Sequence, residues 1–362
     1  MTRHLVLLGG GHANLHVLEA LATRRFPDVR VTLVSPHRLQ FYSGMLPGWI
    51  SGQYLLEECV IALDRLAKAA GAKLLCTSAR AVDPGSRRVR LANGDELDYD
   101  LLAIDVGSDI RNEHLRCASG RLTPVRPLHD FVERYRVFSR HGKTQPMVVI
   151  GGGMGGIEIA CALRVASGYR AEITLLAGCE GVVPTRNEGL KKRLRHEMKA
   201  CGVTVLDEDA LRVDDIGIET SGGRRLAALF VVLATGPQPS ALLKNSGLPL
   251  DAAGYLLVDA SLRSTGHPAV FAAGDCASLP FNGIARSGVY AVRQGPVLAH
   301  NLRATLTGGP LQPFRPQRRV LSLIATGPHH AVAAWGRWSC SGKWLWWWKR
   351  DIDRKFVRRF SS

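Results

Sequence analysis

The sequence predicts an α/β fold: two parallel-sheet domains, each in three layers (ββα), followed by a short C-terminal extension. Three features point there. An apolar run meets a glycine turn and then a helical pattern in "HLVLLGGGHANLHVLEAL", near the N-terminus. A fuller copy, "MVVIGGGMGGIEIACALR", returns near residue 150. Around both, strand-like and helical runs alternate, which is the pattern of βαβ units and a parallel sheet.

In chain order, His4–Leu8 reads as a strand, His12–Ala22 as a helix and Val29–Val34 as the next strand. The second unit reads Met147–Ile150, Ile157–Ser167 and Glu172–Leu176, then a basic amphipathic helix, Leu190–Cys201, and the strand Val203–Leu206. Two patches rich in Gly, Asp and Arg, Leu74–Asp98 and Thr204–Ala227, read as short strands. Each runs on into a strand and glycine turn, "DYDLLAIDVGS" and "LFVVLATGP". A helix follows over Val289–Leu306, and the proline-rich hinge "GGPLQPFRPQ" leads to a tail of different composition.

The bulk numbers suit this reading. The 362 residues fit two domains, and 46% hydrophobic content supplies two cores. The net charge of +16 points to an anionic partner. No secretory signal and no run of about 20 apolar residues is present, so a cytoplasmic protein is expected. The eight cysteines form no C-x-x-C pair, so no metal site is expected. Most of them read as small buried residues of a reducing compartment.

The glycine turns carry the chemistry. In a strand–GxGxxG–helix turn the first Gly makes the turn and the second lets a phosphate approach the backbone. The third packs helix on strand, and the helix N-terminus favours the anion. Gly9 and Gly11 fill the first two roles and Asn14 stands in the third, with His12 and Ala13 at the helix start. In the second loop Gly151, Gly153 and Gly156 fill all three, around Met154 and Gly155. Two such cradles imply two dinucleotides, hence electron transfer between them. The acid that usually binds the adenosine ribose is Ser35 in the first unit, and Ala177 and Gly178 in the second. NADH and NADPH therefore both stay open, as does loss of nicotinamide binding. Glu180 is either a late substitute or a solvated loop acid.

These motifs, with "VFAAGDCA" and "ATGPQP", resemble the two-dinucleotide flavoproteins of the pyridine nucleotide–disulfide oxidoreductase superfamily. "FYSGMLPGWISGQY", "LLAIDVGS", "GVYAVRQGPVLAHNLR" and "RPQRRVLSLIATG" are similar to the flavoprotein module that precedes selenide, water dikinase, and to type II NADH dehydrogenases. The resemblance implies an FAD domain over residues 1–115 and 255–310, an NAD(P) domain over 116–254 and an extension over 311–362. It implies FAD on Gly9, Gly11, His12, Ala13, Asn14, Ser35, Gly107, Gly274, Asp275, Val289 and Tyr290. It places NAD(P)H on Gly151, Gly153, Met154, Gly155, Gly156 and Gly236, with Glu158 at the nicotinamide–flavin junction and Gln294 in the helix after the GD motif. The implied activity is an NAD(P)H dehydrogenase that passes electrons through FAD to a quinone or other small acceptor. The alternatives are direct oxidation of a sulfur or selenium compound without nicotinamide, and a redox-sensing flavoprotein without turnover. Departures are visible: "FYSGMLPG" lacks the disulfide reductases' cysteine pair, and Met154 lies where sulfide:quinone reductases carry a cysteine. Only Gln294 stands where the respiratory enzymes have two glutamines.

The tail "WGRWSCSGKWLWWWKRDIDRKFVRRF" is the most biased stretch. Read as a helix, it puts Leu345, Trp348, Ile352, Phe356 and Phe360 on one apolar stripe beside many cations. That stripe suits the FAD domain, a second copy of the chain, or an anionic membrane surface such as the inner face of the cell membrane. Nucleic acid is the least favoured partner, because no nucleic-acid fold is visible.

Overall fold

The computed structural model describes residues 2–26, 28–111, 115–117, 120–281, 286–317 and 319–361. Strand β1 (Arg3–Leu8) turns into helix α1 (His12–Thr23) and returns as β2 (Val29–Ser35), with β3 (Leu101–Ile104) later in the same sheet. Strand β4 (Met147–Ile150), helix α2 (Met154–Ala166) and β5 (Ile173–Leu176) repeat the pattern. Helix α3 (Gly288–Thr307), strands β6 (Ser322–Gly327), β7 (His330–Trp335) and β8 (Trp338–Gly342), and helix α4 (Lys343–Arg359) complete the chain.

The first sheet is five-stranded and parallel, in the order Val270–Ala272, β3, β1, β2, Lys73–Cys76. Strand alternation decides its two faces. Leu5 and Leu7 pack with Leu15, Leu18 and Leu302 of α1 and α3. Val6 and Leu8 face the opposite way, onto Val82, Val89 and Leu91 of an antiparallel sheet. Each of these fully buried aliphatic side chains contributes about 1.5–3 kcal/mol, and together they fix the register of β1 between two layers.

The second sheet repeats the plan in the order Leu122–Pro124, Phe230–Leu233, β4, β5, Val203–Leu206, all parallel. Met147 and Val149 meet Ile157 and Phe131 on the helical side, while Val148 and Ile150 meet Val213 and Ile218 on the other. Both sheets therefore carry the expected ββα layering. Helix α2 starts at Met154, earlier than the predicted Ile157, because its glycines belong to its first turn.

The tail departs from expectation in two ways. Strands β6, β7 and β8 form an antiparallel sheet ahead of α4, with turns at His329 (φ 56°) and Gly336 (φ 59°). Helix α4 buries Leu345, Trp346, Asp353 and Val357 and leaves Trp348 and Ile352 exposed, so the predicted stripe is rotated. The physical reason is polar. Lys349 and Asp353 point inward because buried partners await them, and this turns the tryptophans out. The C-terminal end of α4 lies on the first domain: Phe356 stacks on Tyr42 at 4.6 Å, Phe360 meets His16 at 5.0 Å, and Arg359 binds Glu19. The cysteines also divide. Cys59, Cys161, Cys201 and Cys276 are buried, but Cys76, Cys117, Cys179 and Cys340 are exposed. Cys76 ends the outermost strand of the first sheet and Cys340 sits in β8, positions that have no covering layer on one side. Among the described residues no helix is long and apolar enough to cross a membrane.

Candidate functional site

A cleft of about 520 Å³ runs from Ser35 and Thr77 past the first glycine loop to Arg126, Asp275 and Gly288. Its length follows from the fold. The glycine turn, the loop after β3 and the Gly274–Cys276 turn all emerge at the C-terminal ends of parallel strands. Gly9 takes φ +87°, and a Cβ there would lie 2.3 Å from the Asp105 carbonyl oxygen. Gly11 is the N-cap of α1 and supplies no side-chain cap of its own.

Of the residues named from sequence, Gly9, Gly11, His12, Ser35, Gly107 and Asp275 line this cleft, whereas Ala13, Asn14, Gly274, Val289, Tyr290 and Gln294 do not. The Asn14 amide donates to the Leu8 and Gly9 carbonyls, at 3.1 and 2.8 Å, so it ties the loop to β1. Asn14→Ala is expected to cost about 1–3 kcal/mol, because the half-buried Gly9 carbonyl loses this side-chain donor and the Leu8 carbonyl keeps only the Asp105 N–H; thermal unfolding measures it. Ser35 Oγ donates to the His37 carbonyl at 3.1 Å. His12 meets Tyr42 and Phe356, and burial lowers its pKa to about 4, so it is a neutral imidazole. Asp275 Oδ2 accepts from Arg126 at 3.0 Å and from Ser108 at 3.4 Å. Gln294 is buried, and its Oε1 accepts the Gly274 N–H at 2.6 Å. Gly107 (φ +72°) bends the chain beside Ser108. The Tyr290 hydroxyl donates to the Gln317 carbonyl, and Val289 beside it is exposed.

The second cradle has the same construction. Gly151 takes φ +131°, and its Cβ would lie 2.3 Å from the Ala234 carbonyl oxygen; a Cβ on Gly156 would lie 2.0 Å from the Gly151 oxygen. Gly153, Gly155 and Gly236 face open space, and no side chain caps α2. The first turn of α2, Met154 included, thus keeps donors available for an anion. A carboxylate does reach the turn after β5, but from the loop after the neighbouring strand Val203–Leu206: Asp209 Oδ1 accepts the Cys179 N–H at 3.3 Å. Glu180 is exposed.

Between the cradles lies a cluster the sequence reading did not assemble. Lys349 Nζ donates to the Gly44 carbonyl at 2.8 Å and to Asp353 Oδ2 at 2.9 Å, and stands 3.9 Å from Glu158 Oε1. Glu158 also accepts the Ala325 N–H at 2.8 Å. Burial raises the Glu158 pKa, with the Lys349 charge pulling it back. Burial would lower the Lys349 pKa, but the carboxylates of Asp353 and Glu158 outweigh it, so the ammonium is held charged. Burial pushes the nearby Tyr54 up to about 12. These groups line a small cavity of about 20 Å³, where Gln53 Oε1 is buried without a partner among the described residues. Lys349 and Asp353 were readable only as charges of a basic helix. Their i,i+4 spacing within an aromatic run was the available signal. Cys59, behind Tyr42, is pushed up to about 12 by burial, which opposes thiolate chemistry here.

The comparisons agree with this architecture. Residues 3–301 match the family model described as pyridine nucleotide-disulphide oxidoreductase. The chain is 22% identical to the NADH dehydrogenase-like protein YutJ of Bacillus subtilis, over 90% of this chain and 90% of that protein. It is 25% identical to the type II NADH:quinone oxidoreductase NdhA of Mycobacterium tuberculosis, over 95% of this chain and 81% of that one. Among solved structures, NDH2 from Plasmodium falciparum in complex with NADH superposes with a TM-score of 0.81 at 15% identity, covering 99% of this chain and 98% of that one.

Proposed function

We propose, from the fact that this chain belongs to the pyridine nucleotide-disulphide oxidoreductase family, that it oxidises NAD(P)H and passes the electrons to a quinone reached at a membrane surface. The chain is an FAD-dependent NAD(P)H oxidoreductase, and its two cofactors supply the two-electron chemistry. The residues fit them: both cradles have positions where any side chain would collide with backbone, and both open at a helix whose N-cap is a glycine. That pairing is the observation that carries the reading.

In this account the first cradle holds FAD, with Gly9, Gly11, His12 and Ala13 at the pyrophosphate and Ser35 toward the ribose. Asp275 and Arg126 stand farther along the cleft, with Gly107, Val289 and Tyr290 shaping that end. Asn14 and Gln294 act as positioning residues, since each is bonded to the glycine turn it supports. Gly151, Gly153, Met154, Gly155, Gly156 and Gly236 hold the nicotinamide dinucleotide. Glu158 reaches from α2 toward the junction, where burial favours its acid form, and the Lys349 ammonium stands 3.9 Å from its Oε1. Quinone reduction consumes protons as well as electrons, and this buried cluster supplies a donor. Glu158→Gln is expected to lower turnover with a soluble quinone about 10–100-fold. Unchanged turnover across the pH profile would remove Glu158 from the mechanism.

The surface role rests on the outer face of the tail. Trp338 is 80% exposed, and Trp344, Trp347 and Ile352 are exposed as well, with Arg337 and Lys343 among them. Tryptophan with flanking cations suits the interface of an anionic bilayer. The paired change Trp347→Ser and Trp348→Ser is expected to reduce co-sedimentation with phosphatidylglycerol vesicles at least tenfold (about 1.4 kcal/mol). Equal binding by the variant and the parent would contradict this placement.

A further inference from the structure

The anion site at the N-terminus of α1 already contains an anion. Asp105, in the loop after β3, is 3% exposed. Its Oδ2 accepts the N–H of Ala13 at 2.7 Å and of Asn14 at 3.1 Å, both in the first turn of α1. Glycines from two separate motifs make room for it. A Cβ on Gly11 would lie 2.3 Å from the Asp105 carboxyl carbon, and one on Gly274 would lie 2.5 Å from its Oδ1. Gly9 abuts the same residue's carbonyl oxygen. These glycines therefore accommodate the Asp105 side chain as well as a ligand.

No cation offsets it. Among the described residues no ion pair involves Asp105, and Arg126, across the cleft, is engaged with Asp275 and Ser108. The charged or titratable groups around it are Asp275 and Cys276 on the Gly274–Cys276 turn, His12 on α1 and Arg126 ahead of the helix Leu128–Ser139. A dinucleotide's pyrophosphate brings further negative charge to the same helix end. Two anions at one buried helix terminus repel strongly, and protonating the carboxylate is the least costly response.

We infer that Asp105 is a cofactor-positioning residue that becomes the neutral acid when FAD binds, so that FAD uptake is coupled to uptake of one proton. As the acid, Asp105 keeps one oxygen as acceptor for the helix N–H groups, and its O–H becomes a donor to the incoming phosphate. The proton comes from solvent and no electron moves. Burial, opposed by the two N–H bonds, already pushes the free carboxyl up to about 7. His12, lowered to about 4, and Cys276, raised to about 12, titrate outside the window where the effect is read.

The inference rests on the FAD assignment, and its test separates the two. Flavin-stripped full-length protein is titrated with FAD between about pH 6 and 9. The dissociation constant should weaken about tenfold per pH unit above about pH 7, because the proton must be taken up against a falling proton activity. Asp105→Asn should bind FAD with a constant that changes less than about threefold over that range, and should bind more tightly than the parent at the alkaline end. Calorimetry on the parent protein, in two buffers of different ionisation enthalpy near pH 8, should count about one proton taken up. This reading stands even if the variant does not fold. FAD binding with no pH slope and no proton uptake would overturn the inference and leave the cofactor assignment intact. Failure to take up FAD at any pH would overturn both.

Discussion

Lys349→Met is expected to destabilise the protein by about 3–5 kcal/mol, because it strands the buried Asp353 carboxylate and the half-buried Glu158. Lys349 Nζ is the cation between Asp353 Oδ2 and Glu158 Oε1, and it also satisfies the Gly44 carbonyl. Removing it leaves Asp353 inside the protein with Tyr42 and no positive charge beside it. Chemical denaturation at pH 7 measures the loss. Adding Asp353→Leu should restore much of the stability, because an apolar pair of similar volume avoids the desolvation cost. The double variant should still reduce quinone slowly, since the cation beside Glu158 is gone. A single variant that loses less than about 1 kcal/mol would mean that water already screens this cluster.

Gly156→Ala carries the second large effect. Its Cβ would lie 2.0 Å from the Gly151 carbonyl oxygen, so α2 must move away from β4. The first cradle lies on a different sheet and is untouched. The variant should bind FAD and be reducible by dithionite, yet react with NADH about 100-fold more slowly, the scale expected for a misplacement near 1 Å. Reduction at the parent rate would show that this loop does not hold the nicotinamide dinucleotide.

The fold was legible where period and glycine coincide. Leu5 to Leu8 and Met147 to Ile150 are continuous apolar runs because both faces of each strand are covered, and each is followed by glycines that only a tight turn needs. The three-layer plan and the order of the two units follow from that alone. Asn14 was readable as an anomaly but not as a solution: its amide reaches back to β1, a bond that depends on where the strand ends in space. Asp105 and Arg126 were invisible as site residues because nothing local marks them. Each enters the cleft through a neighbouring strand or loop, and chain separation hides such juxtapositions. The carboxylate beside the turn after β5 is the same case, since Asp209 arrives from the loop after the adjacent strand.

The tail's stripe divides for an energetic reason. A pattern of apolar residues marks a stripe but not what covers it: Leu345 and Phe360 are buried, while Trp348 and Ile352 are exposed. The structure buries Lys349 and Asp353 instead, because Glu158, Tyr42 and the Gly44 carbonyl complete them. A fully partnered charge cluster can outweigh the burial of a tryptophan, and only tertiary contacts reveal the partners. The exposed tryptophans that result are what the membrane proposal rests on.

Anaerobic titration of the FAD-loaded protein with NADH, and in parallel with NADPH, tests the central claim most directly. If paired cradles bring two electron carriers together, about one equivalent of one of these nucleotides should bleach the flavin absorbance fully. Flavin that stays oxidised with both, while dithionite bleaches it, would contradict the account and leave the second cradle without its assigned ligand.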